Sequence, residues 1–302
     1  MEHIEKERNS KLKLALILGY LLLLGILTGL SADKDISINL EDTKVIAFLE
    51  IVQAISVILL FVLPAVLIAA LWTKPGIHYL GITTKPAVTT MLLAGLGILL
   101  AVPLINWLAD MNSHLQLPAA LGVVEEWMKK SEAEAKLLTD AFTKGTSIGS
   151  LILNLFIIAF LAAVCEEIFF RGLLQKVLME CIKNKHIAIW IGAIIFSAFH
   201  MEFYGFVPRM LMGAYLGYLF YWSGSLWPGM IAHFVNNGMQ VFLVWLGNRG
   251  AIAADAADKI GVDDNQGITV IVSIVLVAMS LFLVNKIEKK RKGGKQMSPL
   301  NF

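Results

Sequence analysis

Two adjacent glutamates and an arginine, Glu166, Glu167 and Arg171, lie inside an apolar run long enough to cross a membrane, from Ile148 to Leu178. An ionisable side chain at the bilayer centre costs about 2.5–3.5 kcal/mol on insertion scales, so such residues persist mainly where they have a task. Further along, the segment Phe196 to His200 closes a second apolar run, and His233, Asn236 and Asn237 break a third. Carboxylates, imidazoles and amides together can run a hydrolysis. A carboxylate can take a proton from water with an imidazole assisting, while other donors meet charge that develops on an attacked carbonyl.

Helical geometry brings these groups to one level. Glu166 lies ten residues from Lys176, His200 fifteen from Lys185, and His233 ten from the turn at Ser223. At the rise of a helix these are depths of about 15, 22 and 15 Å, with Asn237 about 6 Å beyond His233. Glu167 and Arg171 stand i,i+4 with the acid first, the favourable order for an ion pair. Glu166 points about 100° away round the helix and is free to face another element. His233 and Asn237 are also i,i+4 and share a face. The expected roles follow. Glu166 is the base that activates water, aided by His200, while His233 and Asn237 donate to an oxyanion and Arg171 holds Glu167 in support. Each residue alone has a plainer reading: a satisfied core histidine, an ion pair that stabilises a bundle, asparagines that bridge helices. Their shared depth favours a joint site.

These residues need a membrane-embedded frame. The chain has 302 residues, 57% hydrophobic and only 16% charged, with a mean hydropathy of +0.72. Soluble domains are about 45–50% apolar and about 25% charged, so the composition points to a polytopic membrane protein. A net charge of +2, with no basic cluster interleaved with aromatics, argues against a nucleic-acid partner. Cys165 and Cys181 are too few for a disulfide framework, and Cys165 reads as a small apolar residue.

About eight apolar runs approach the roughly 20 residues that span the hydrocarbon core: 12–30, 45–72, 87–109, 148–178, 187–204, 207–222, 226–247 and 267–285. The fold class is therefore all-α, a polytopic transmembrane bundle. The first run follows Lys11 and Lys13 and ends in Gly29, Ser31 and Ala32, as a signal peptide would; its length favours a retained helix. With both termini inside, fifteen basic residues fall on the cytoplasmic side and nine in outer loops, which follows the positive-inside rule. The loop 110–147 holds Leu121, Val124, Trp127, Met128, Leu137 and Phe142 at helical spacing, which predicts one or two amphipathic helices. Gly213 and Gly217 form a small-xxx-small pair suited to close helix packing. The tail from Lys286 to Phe302 reads as a solvated, disordered end. The chain divides into 1–147, with N-terminal helices and the amphipathic loop; 148–247, the catalytic core; and 248–302, the last helix and basic tail.

The polar motifs resemble those of the CPBP family of intramembrane proteases, the CAAX proteases and bacteriocin-processing enzymes also called Abi. The matching features are Glu-Glu-x-x-x-Arg at 166–171, Phe-x-x-x-His at 196–200 and His-x-x-x-Asn at 233–237. Gly-Ser-Leu-Trp-Pro at 224–228 is also similar. The resemblance covers about 148–247. It implies an eight-helix membrane fold and peptide-bond hydrolysis by a glutamate-activated water, with Glu166 and His200 activating and His233 and Asn237 forming the oxyanion site. Glu166, His200 and His233 could also be three zinc ligands with an open fourth position. No His-Glu-x-x-His is present, and Asn237 suits an oxyanion better than a metal, so a metal-free mechanism is expected, with zinc the alternative.

The expected partners are membrane lipid and a membrane-anchored or lipidated peptide substrate. Two other classes compete. A non-enzymatic immunity or scaffold protein would use the polar cluster as a binding pocket. A proton-coupled transporter would use it as a relay, but neither an inverted repeat nor paired broken helices are visible.

Overall fold

The structure, a computed structural model, describes residues 2–31, 39–72, 76–114, 118–253, 259–262 and 267–293. Among them there is no strand, and ten helices of at least ten residues build the bundle. These are α1 (Glu2–Ser31), α2 (Thr43–Leu71), α3 (Val88–Leu100), α4 (Val102–Ser113), α5 (Gly122–Thr143), α6 (Ile148–Cys181), α7 (Lys185–Phe199), α8 (Phe206–Ser223), α9 (Trp227–Asn248) and α10 (Gly267–Arg291). The apolar runs expected from the sequence fall on these helices, the run 87–109 on both α3 and α4. Among the described residues α2, α6 and α10 can each cross a membrane by length and composition, and α3 with α4, bent by 44°, gives a fourth if the pair is one span. The protein is an integral membrane protein. At about 1.5 Å per residue, α7 is too short to cross about 30 Å of hydrocarbon alone.

Local chemistry sets the helix ends. Asp42 caps α2 by accepting from the Lys44 amide, Ser147 caps α6 through the Ser150 amide, and Asn184 caps α7 through the amides of His186 and Ile187. Gly224 ends α8 at φ 71°, a left-handed position open to glycine. Pro228 then starts α9, where a missing N–H costs nothing. Pro103 follows the break between α3 and α4, which accounts for the bend.

Helix α6 carries two segments of π-helix, Leu155–Leu161 and Ile168–Gln175, on either side of Glu166 and Glu167. Such wider turns shift side chains out of regular α register and recur at functional sites. Behind them an aromatic cluster fills the core, with Phe61 5.7 Å from Phe169, 5.6 Å from Phe170 and 5.3 Å from Phe199 between ring centres. Gly213 and Gly217 let α8 approach closely: a Cβ on Gly213 would lie 3.2 Å from the Ala193 backbone of α7. Their carbonyls accept from Arg171 and Gln175, four residues apart on α6, at 3.2 and 2.9 Å.

The loop 110–147, expected to hold one or two amphipathic helices, forms one, α5, preceded by a short turn. One expectation is revised: the tail is ordered further than its charge suggested. Helix α10 runs to Arg291 because Glu288, fully buried, accepts from the Ala87 amide, the Thr90 hydroxyl and Arg291. The rest of the expected tail, from 294 onward, lies outside the described residues. At the same basic end Glu180 accepts from Ser10, Lys13 and Tyr79, which fastens α1 to the end of α6.

Candidate active site

Three helices deliver the acid–base groups to one point. Glu166 Oε2 of α6 lies 3.7 Å from His200 Nε2, at the end of α7, and 3.9 Å from His233 Nε2 on α9. Both separations exceed a direct hydrogen bond and lie within reach of one shared water. Glu167, next in sequence, faces the other way and is fully buried. Its Oε1 accepts from Arg171 at 2.5 Å and contacts His233 Nδ1 at 3.2 Å. Sequence reasoning placed Glu167 as a partner of Arg171; the structure adds that it orients His233 as well. The i,i+4 reading could not show this, because the His233 contact joins residues 66 positions apart.

The partners assign the protons. His200 Nδ1 contacts the Phe196 carbonyl at 2.8 Å. A carbonyl only accepts, so Nδ1 donates and the Nε2 of the neutral ring is an acceptor aimed at Glu166. His233 Nδ1 donates to Glu167, whose charge Arg171 balances, so its Nε2 also faces Glu166. Exposure separates the two acids: the Glu166 side chain is 12% accessible and His200 25%, against none for Glu167 and 2% for Arg171. Glu166 and His200 are thus the more accessible members of the cluster. Among the described residues, Glu166 Oε2 and Glu167 Oε2 are buried without a hydrogen-bond partner.

Asn237 has both ends of its amide engaged within the bundle. Its amide nitrogen donates to the Ile158 carbonyl of the first π-segment at 3.4 Å, and its oxygen accepts from Asn236 at 3.0 Å. The first bond is long and weak. Asn237 therefore lies one helical turn beyond His233 with its donor turned toward α6.

Two contributors escaped the sequence reading. Phe196 was noted only as part of a motif, yet its ring carries the Arg171 guanidinium at 4.3 Å and touches the rings of His200 at 4.9 Å and His233 at 5.9 Å. It is the apolar wall that holds three of the polar groups in place. Gly229 leaves room for Glu167: a Cβ there would lie 2.6 Å from Glu167 Oε2. The only available signal was its position just after the Gly-Ser-Leu-Trp-Pro stretch.

Residues 148–239 match the family described as type II CAAX prenyl endopeptidase Rce1-like. This core is CAAX-protease-like. The matched segment contains all three polar motifs and the helices α6 to α8 with most of α9. A stretch of 86 residues, 27% of the chain, is 31% identical to "Uncharacterized protein YpbD" of Bacillus subtilis (strain 168) and covers 41% of that protein. The chain thus spans about two fifths of the length of that curated relative. No solved structure matches. Within the CAAX-protease-like core and the rest of the described residues, no three His, Cys, Asp or Glu side chains group as a metal cage.

Proposed function

We propose that this protein is an intramembrane endopeptidase that hydrolyses a peptide bond of a membrane-associated or lipidated protein, using a water activated by Glu166. One observation carries the reading: Glu166 Oε2 lies 3.7 Å from the acceptor Nε2 of His200 and 3.9 Å from Nε2 of His233, which come from two other helices. Acceptors crowded together call for a proton donor between them. A water 2.8 Å from Glu166 and from His200 subtends about 83° at its oxygen, close enough to tetrahedral to donate to both. Its lone pair then faces the substrate carbonyl.

The steps follow from the residues. Glu166 takes one proton from the water, and the oxygen attacks the carbonyl carbon. Negative charge moves to the carbonyl oxygen, where His233 carrying a second proton on Nε2 donates to it. Glu167 on Nδ1 balances that imidazolium, and the Asn237 amide, released from its weak bond to Ile158, adds a second donor. Glu166 returns its proton to the departing amine, and the C–N bond breaks. Each donor aimed at developing charge contributes about 10²–10³ in rate. We further place both termini and the basic ends of the helices on the cytoplasmic side, in keeping with the charge asymmetry.

The test uses purified protein in lipid nanodiscs and a mass-spectrometric cleavage assay on membrane-anchored peptides. Glu166→Gln abolishes cleavage while thermal stability is kept; full activity in that variant refutes the role. Activity is expected to survive exhaustive chelation. Loss on chelation with recovery on added zinc would replace the metal-free step by a zinc-bound one.

A further inference from the structure

A cavity of about 380 Å³ opens beside the site, between α4, α8 and α9. Its size falls in the range of about 300–1,000 Å³ typical of small-ligand sites. Its walls are mainly apolar, from residues such as Val102, Met212 and Leu243, and Arg209, Asn236 and Gln240 bring polar groups to it. Two links join it to the acid–base groups. Asn236 donates to Asn237, one turn from His233, and Arg209 pairs with Glu202, two residues beyond His200.

Arg209 is held as a receptor for a carboxylate would be. It donates to the backbone carbonyl of Glu202 and pairs with the Glu202 carboxylate. The guanidinium is the more buried partner, 18% accessible against 37% for Glu202. The acid is thus the exposed and replaceable member, on the loop that follows His200. That loop leaves α7 through Met201 at φ 56°, a left-handed conformation that a side chain rarely adopts. It is fastened on three other sides: Asn112 donates to the Phe203 carbonyl, the Tyr204 amide donates to Glu132, and Trp127 packs 5.3 Å from Phe203. The loop beside Arg209 is fastened, while the Glu202 side chain is the more accessible of the pair.

We infer that this cavity is a specificity subsite for the peptide on one side of the cleaved bond, and that Arg209 reads a substrate carboxylate that takes the place of the Glu202 side chain. The apolar walls take the neighbouring side chains, and Asn236 and Gln240 offer hydrogen bonds to the peptide backbone. The carboxylate is either the peptide's own C-terminus or an Asp or Glu side chain. The inference rests on the endopeptidase reading and deepens it.

The full-length protein in nanodiscs is offered a library of varied apolar peptides, half with free C-terminal carboxylates and half with C-terminal amides. Products are sequenced by mass spectrometry. Wild type favours peptides that carry a carboxylate at one fixed spacing from the cut, by about 10- to 100-fold, the effect of a hydrogen bond to a charged group. A preference confined to the free acids identifies the C-terminus; one that survives amidation at Asp or Glu identifies a side chain. Arg209→Gln brings the ratio close to one while amide peptides are still cut. The exchange Glu202→Arg with Arg209→Glu restores the ion pair and moves the cation away from the cavity. It too loses the preference, whereas a merely structural pair would be rescued. An unchanged preference in Arg209→Gln, a preference rescued by the exchange, or no carboxylate preference in wild type overturns the inference alone. Failure of wild type to cut any peptide overturns the endopeptidase reading and the subsite with it.

Discussion

Replacing Gly229 by alanine tests whether the placement of Glu167 matters for the chemistry. Helix propensity by itself predicts a gain of about 1 kcal/mol from Gly to Ala in a helix interior, and Gly229 lies near the start of α9, where that gain is smaller. Against it, the new Cβ would stand 2.6 Å from Glu167 Oε2 and 3.4 Å from its carboxyl carbon. Ordinary contact needs about 0.8 Å more. The carboxylate has nowhere cheap to go, because its other oxygen is held by Arg171 at 2.5 Å and His233 at 3.2 Å. Overpacking of this kind costs about 1–3 kcal/mol, so strain exceeds propensity. A shift of that size would carry the His233 contact beyond hydrogen-bond length, and misplacement by about 1 Å can lower rate about 10²-fold. Gly229→Ala is therefore expected to melt lower in a detergent thermal-shift assay and to cut peptides about 10²-fold more slowly, with substrate affinity little changed. A variant that is both stabilised and fully active would refute the argument that Glu167 is fixed and that its position matters.

Other expected outcomes follow from the same contacts. Arg171→Gln leaves Glu167 buried without its cation and should destabilise the protein by about 3–5 kcal/mol, read from thermal unfolding; Arg171→Lys, which keeps the charge without the fork that also reaches the Gly213 carbonyl, should fall between. Glu288→Ala leaves the Thr90 hydroxyl and Ala87 amide unsatisfied at a buried helix junction and should lower stability by about 1–3 kcal/mol without altering the cleavage profile. Burial, followed by the neighbouring Glu202, raises the pKa of Glu132 on the loop helix α5 above the ordinary carboxylate value. Its charging opposes folding, so the stability that it contributes in the protonated form is lost as pH rises through that raised value. Glu132→Gln should thus gain melting temperature relative to wild type above that pH and match it below; a gap that does not vary with pH would contradict this. Cysteines placed at the exposed positions 85 and 144 should label differently with an impermeant maleimide, Lys144→Cys in intact cells and Lys85→Cys only after permeabilisation.

The helices were legible in the sequence because each is a long apolar run and the bilayer tolerates few alternatives to a helix. Asn184 and Gly224 are local signals for helix ends, and they act as such here. Charge was a poorer guide at the tail. Glu288 and Arg291 look like solvated residues in a basic stretch, but each finds partners on other helices. The same weakness affected Glu167, whose neighbour at i+4 was visible and whose neighbour on α9 was not.

Sequence alone determined which residue types sit at membrane depth, that Glu166, His200 and His233 lie at a similar level, and that Glu167 and Arg171 pair within one helix. These follow from local chain geometry, a fixed rise and turn per residue. Tertiary structure decided which way each group faces. It set Glu166 toward the two Nε2 atoms and Glu167 toward Nδ1 of the same His233, and it turned the Asn237 donor toward Ile158. Those directions depend on the crossing of α6, α7 and α9 and on the π-segments that shift register beside the glutamates. No periodicity within one helix encodes the rotation of its neighbours.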